Sequence, residues 1–141
     1  MRIGNAELDL SKVNYFTTDF IYVNETEQYG VYAITEKGRV ACVENLSKDE
    51  ASFNLYYISK GLVAQGYRNF ALLKDNILNL DNIKSTKLIG SLLYSGYINF
   101  EFKCGHKWHL YHDTPENLYE TFHEFKKIQK SYEDKKLTLA Y

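Results

Sequence analysis

The sequence predicts an α+β fold on three observations. Segments of period two are rich in Tyr, Phe and β-branched residues, two segments of period 3.6 each open on a helix cap, and that order occurs twice along the chain. The expectation is a ββββα unit over about 1–67 and a second over about 68–141. Units of this size bury too little surface to stand alone. They are therefore expected to pack as one pseudo-symmetric single domain, 1–141, with antiparallel sheets and two helices.

Strands are expected near residues 3–10, 15–24, 29–35 and 39–45, divided by Gly or by Asn-Glu-Thr turns. Ser47 followed by Glu50 is a capping box, and Ala51, Leu55, Ile58 and Leu62 then draw one apolar stripe that Gly66 closes. The second copy has strands near 69–74, 77–89, 97–104 and 106–112. Its helix opens on Thr114 with Pro115 at the first helical position, and its stripe is Leu118, Phe122 and Phe125. The repeat itself rests on Leu8-Asp9-Leu10-Ser11-Lys12-Val13, which recurs as Leu78-Asn79-Leu80-Asp81-Asn82-Ile83. From that pattern, Leu55 and Phe122 are expected to be equivalent buried positions. The element order resembles that of the PUR-repeat and whirly-type single-strand-binding proteins, and the resemblance carries no residue with it.

Charge argues against a protein that lives on phosphate. The net charge is −1 with three arginines, Arg2, Arg39 and Arg68. Residues 1–67 hold 6 basic and 9 acidic side chains, and residues 68–141 hold 11 and 9. Neither half has a single-sign field, and the bidentate fork that grips phosphate is scarce. The 13 Tyr and 8 Phe beside one Trp favour half-buried sheet faces and contact surfaces, or reflect a codon bias that also raises Asn, Lys and Ile.

Two cysteines, Cys42 and Cys104, make no disulfide scaffold. The start turns polar at once, no apolar run reaches membrane length, and a cytoplasmic location follows as an expectation. On that ground the sequons at Asn24 and Asn45 are chance matches.

Candidate chemistry is thin. Cys104, His106, His109 and His112 are zinc-type ligands. On a strand, however, His106 and His112 stand roughly 20 Å apart and His109 faces the other way, so no metal is expected. Ser11, Ser47 and Ser52 lack a nucleophile elbow, Cys42 lies in an apolar run, and no glycine loop has a phosphate-binding pattern. Asp9, Asp19 and Glu101 are scattered acids of unknown proximity. No catalytic residue and no cofactor are assigned.

A sheet face is the better candidate. With Ile98, Phe100, Trp108 and Leu110 inward, alternation turns Tyr97, Asn99, Glu101 and Lys103 outward, joined by Lys107, His109 and Tyr111. Such a face can meet a protein, stack a nucleotide-like ring, or pair two protomers. Lys126, Lys127 and Lys130, after Glu120 and Glu124, read as a solvated helix face with i,i+3 and i,i+4 pairs.

The function expected is a non-enzymatic binding or inhibitor protein acting by occupancy or sequestration. The AT-rich bias suggests a phage or mobile element and hence an anti-defence role. A single-stranded nucleic-acid-binding module is the alternative, and a hydrolase of unrecognised type comes third.

Overall fold

A computed structural model describes residues 1–90, 96–112 and 114–140, with side chains 138–140 left aside. The fold is α+β, with two helices and antiparallel sheets. The chain forms two compact units, Met1–Asn82 and Ile83–Tyr141. Their boundary lies one hairpin and one 3-10 turn beyond the repeat boundary expected near residue 67.

In the first unit the expected strand 3–10 is a short hairpin, β1 (Arg2–Ile3) and β2 (Ala6–Glu7), followed by a 3-10 turn, Leu10–Lys12. Gly4, at φ +58, supplies the left-handed residue that this tight reversal needs. A meander follows: β3 (Val13–Val23), β4 (Thr26–Thr35) and β5 (Gly38–Leu46). Asn24 and Glu25, at φ 51 and 64, join β3 to β4 as a two-residue turn with both central residues left-handed, the hairpin geometry that matches strand twist.

Helix α1 (Lys48–Ala64) starts on the capping box read from the sequence. The Glu50 amide donates to Ser47 Oγ at 3.2 Å, and the Ser47 amide donates to Glu50 Oε1 at 3.0 Å. These bonds hold the Glu50 carboxyl below its ordinary range. Ala51, Leu55, Ser59 and Leu62 form its buried line. Leu55 and Leu62 join Phe16, Val31, Ala33, Phe70 and Ile77 in one core cluster, with Ile58 packed at its margin.

After α1 the chain returns to the same sheet. Strands β6 (Phe70–Leu73) and β7 (Asn76–Asn79) form a hairpin, and β7 pairs with β3 through Tyr15–Leu78, Phe16–Ile77 and Thr17–Asn76. The sheet order is β5-β4-β3-β7-β6. The expected strand 77–89 is thus interrupted by a 3-10 turn at Leu80–Asn82, and the hairpin β6–β7 belongs to the five-stranded sheet of the first unit.

Asn79 holds this junction. It is 1% exposed, and its amide donates to the carbonyls of Val13 at 2.8 Å and Leu10 at 3.4 Å. Its oxygen accepts from Asn69 Nδ2 at 2.8 Å and the Asp81 amide at 3.2 Å. Asp9, which precedes the 3-10 turn Leu10–Lys12, accepts from the Ser11 amide and hydroxyl.

The second unit continues with β8 (Ile83–Ile89), β9 (Tyr97–Phe102), β10 (Lys107–Tyr111) and helix α2 (Pro115–Ala140). The three strands form an antiparallel sheet in the order β10-β9-β8. Register shifts follow Val13 in β3 and Ile83 in β8, so the same irregularity marks the first residues of both meanders. Thr114 Oγ1 accepts from the Asn117 amide at 3.2 Å and caps α2.

The buried line of α2 is Leu118, Thr121 and Phe125, whereas Phe122 is half-buried. The expectation that Phe122 matches buried Leu55 is therefore corrected. The Phe125 ring meets the inner face of β9, edge-on to Phe100 at 5.1 Å, and this turns Phe122 towards the flank of the helix.

Truncating Leu55 or Phe125 to Ala is expected to cost ~2–5 kcal/mol by cavity formation, and Phe122→Ala clearly less. Chemical denaturation of the three variants measures the order. Asn79→Asp is expected to destabilise by more than ~2 kcal/mol at neutral pH, because a buried carboxylate would face two carbonyls with no proton to give. That deficit should shrink as pH falls and the carboxyl regains a donor. A pH-independent deficit in thermal unfolding would contradict this account.

Candidate binding face

The second unit's sheet presents a polar-aromatic grid of three strands by three positions. Its registers put Ser85, Glu101 and Lys107 in one row, Lys87, Asn99 and His109 in the next, and Ile89, Tyr97 and Tyr111 in the third. At ~4.8 Å between strands and ~3.4 Å per residue, the grid covers about 10 by 14 Å. The opposite face is apolar. Ile98, Phe100 and Phe102 are buried, and Trp108 stacks on Phe100 at 5.2 Å. Alternation forces this division, because a slip by one residue would turn three buried rings and aliphatics to water.

Six of the seven residues expected on this face lie on it. Tyr97, Asn99 and Glu101 are half-buried, and Lys107, His109 and Tyr111 are exposed. Lys103 differs: β9 ends at Phe102, and Lys103 sits exposed in the turn to β10. The turn closes with the Gly105 amide on the Phe102 carbonyl at 2.9 Å, and Gly105 takes φ +97. Trp108 and Leu110 face inward as expected but remain half-buried.

Sequence reasoning left out Ser85, Lys87 and Ile89. A strand drawn from 77 to 89 hides the register shift after Ile83, which lets Ile83 point inward and Ser85 outward although both are odd-numbered. The available signal was the alternation Ser85, Lys87, Ile89 counted from the strand's far end.

The rings on the face are organised against one another. Tyr97 stacks on His109 with centroids 4.3 Å apart at 28° and lies 5.3 Å from Tyr111. The Tyr111 hydroxyl lies 3.4 Å from His109 Nδ1. Beside them, Asn99 Oδ1 is shielded and has no hydrogen-bond donor among the described residues. Glu101 is engaged at the opposite end, accepting from Ser85 Oγ at 3.4 Å and lying 3.9 Å from Lys84 Nζ. The face can offer a π-surface and two lysine charges, Lys87 and Lys107.

The other candidates separate. Among the described residues no three His, Cys, Asp or Glu side chains gather as a metal site. His106 stacks on Phe102 at 6.1 Å, and His109 belongs to the ring cluster. Asp19 pairs with Arg39 at 2.9 Å in the first unit, and Asp9 is bound to Ser11. Cys42 is buried, and burial pushes its thiol up to about 11. Cys104 is exposed in the β9–β10 turn. On α2, Lys126 reaches Gln129 at 3.5 Å and stands over the Phe122 ring at 5.3 Å.

No known protein-family profile, curated protein or solved structure matches this chain. No helix among the described residues is long and apolar enough to cross a membrane.

A maleimide reagent at neutral pH should label Cys104 rapidly and Cys42 only on unfolding, because the thiolate is the nucleophile and Cys42 holds its proton. Mass spectrometry of the native protein should show one adduct. Two adducts at equal rates would mean that the first unit's core is open.

Proposed function

We propose that this chain is a non-enzymatic binding protein that works by occupancy, and that the grid around Tyr97, His109 and Tyr111 contacts its partner. The observation that carries the reading is the ring cluster itself. Three aromatic side chains stand pre-ordered on a rigid sheet, with Tyr111 62% exposed. Rings fixed before contact lose little entropy on binding, which is why Tyr is enriched at protein interfaces.

A protein partner fits better than a phosphate backbone. Glu101 stands on the same face as Lys87 and Lys107, so the field there is mixed in sign. The compositional bias towards Lys, Asn, Ile and Tyr suits a phage or mobile element, where occupying a host protein would serve anti-defence, and such a partner would be cytoplasmic. Single-strand binding remains the second reading, favoured by Lys87, which adds a cation beside the stacked rings.

Tyr111→Ala should weaken partner binding by ~1–2 kcal/mol or more while folding stability changes within ~0.5 kcal/mol. Capture from a lysate of the producing cell, comparing wild type with Tyr111→Ala and Lys87→Ala, is the experiment. Titration of a labelled oligothymidine at two salt concentrations separates the readings. Tight binding that falls steeply with salt would replace the first with the second. Capture that is indifferent to Tyr111 would remove this face from the function.

A further inference from the structure

The first unit carries a second unusual surface, at the far end of the β3–β4 hairpin. Strand β3 runs to Val23, but β7 accompanies it only from Tyr15 to Thr17. Over Thr18–Val23, β3 has one described neighbour, β4, and an open edge on its other side. Phe20, Ile21, Tyr22 and Val23 are 40, 43, 67 and 37% exposed on this overhang. Edge strands in water are ordinarily blunted by charge, proline or a bulge. Phe20–Val23 has none of these, since its register with β4 is unbroken and the four side chains are uncharged.

The backbone of the overhang is oriented for pairing. A two-residue hairpin turn makes Val23–Thr26 the hydrogen-bonded pair, so bonding to β4 alternates from there. Thr18, Phe20 and Tyr22 consequently direct their N–H and C=O groups to the open edge. The Phe20 amide agrees with this, since it donates not across the ladder but to Asp19 Oδ1 at 2.8 Å. That bond is a local substitute which an incoming strand can displace.

We infer that this edge pairs antiparallel with the same edge of a second copy of the chain, about a two-fold axis at Ile21. Phe20 of one copy then opposes Tyr22 of the other, and Ile21 opposes Ile21. Shifting the axis to Phe20 would drive the hairpin tip into the place β7 occupies beside Thr17. Charge favours a second copy as the occupant. Asp19 is the one ionic side chain of Thr18–Val23, and its own Arg39 neutralises it at 2.9 Å, so no like charges meet within the paired segment. The rings already form a ledge, with Phe20 5.5 Å from Tyr22 and 5.4 Å from Tyr29, and the two-fold would extend it into one cluster. The contact is isologous and closed, so it yields dimers rather than fibres.

The test is sedimentation equilibrium over a concentration series, with amide hydrogen exchange read at the same concentrations. The mass should rise towards twice the monomer, and exchange at the Tyr22 amide should slow as it does. Tyr22→Pro removes an outward N–H while leaving the bonds to β4 intact, and should abolish the dimer with unchanged circular dichroism. Tyr22→Lys should do the same by charge, which keeps the test valid if the proline variant fails to fold. Tyr97→Ala/Tyr111→Ala should still dimerise, and loss of that variant's partner binding alone would bear on the other face. A chain that stays monomeric at every concentration overturns the inference. So does a dimer that survives Tyr22→Lys, or one that Tyr97→Ala/Tyr111→Ala dissolves.

Discussion

Asn79 is the constraint on which the first unit's sheet depends. Strand β3 must leave the 3-10 turn Leu10–Lys12 at a set angle to accept β4 on one side and β7 on the other. The carbonyls of Leu10 and Val13 are committed to the Asn79 amide, and the Asn79 oxygen in turn holds Asn69 and Asp81. A buried side chain with both donor and acceptor is required, because both functions are used and the group is shut off from water. Asn82 adds a second strap, donating to the Ser11 carbonyl at 2.9 Å. An apolar residue at 79 would fill the space but withdraw the shortest donor to the Val13 carbonyl, at 2.8 Å, and the acceptor shared by Asn69 and Asp81.

The two aromatic surfaces use their rings in opposite ways. In the second unit the Tyr97, His109 and Tyr111 rings contact one another across the paired strands β9 and β10, so the side chains are what that face presents. On the overhang the backbone is what is presented, and the hydroxyls of Tyr22 and Tyr29 are both drawn to Glu27, at 3.3 and 2.9 Å. That second bond raises the Tyr29 hydroxyl above its ordinary range. One surface is a fixed relief and the other a template for pairing.

Much of this was legible from residues alone wherever the determining interaction is local. The Ser47–Glu50 capping box, the Thr114 cap and the Asn24-Glu25 turn each need only neighbours within a few positions. The alternation that sorts Tyr97, Asn99 and Glu101 from Ile98, Phe100 and Phe102 needs only a period of two. What was not legible depends on contacts distant in sequence. Nothing near residues 69–79 says that this hairpin should join β3 rather than open a new sheet. The burial of Thr121 in place of Phe122 follows from where Phe100 meets Phe125, and helical spacing admits either line. Lys103 was misplaced because a strand's last residue is decided by the turn, here by Gly105. Alternation in β3 likewise gave no sign that its far half overhangs, since the same pattern serves a strand paired on both edges.

The recruitment of β6 and β7 into the first sheet bears on how the protein is made. A nascent chain is extruded from its N-terminus, and an early segment generally folds once it is fully outside the ribosome. Here α1 can form as soon as its own residues emerge, but β3, already paired with β4, lacks its second neighbour until Asn76–Asn79 has followed. For the interval in which the intervening residues are synthesised, Tyr15–Thr17 wait with one side bare. Translation speed across the segment after α1, and any holdase that shields that side meanwhile, then bear on how long this stretch of β3 stays unpaired.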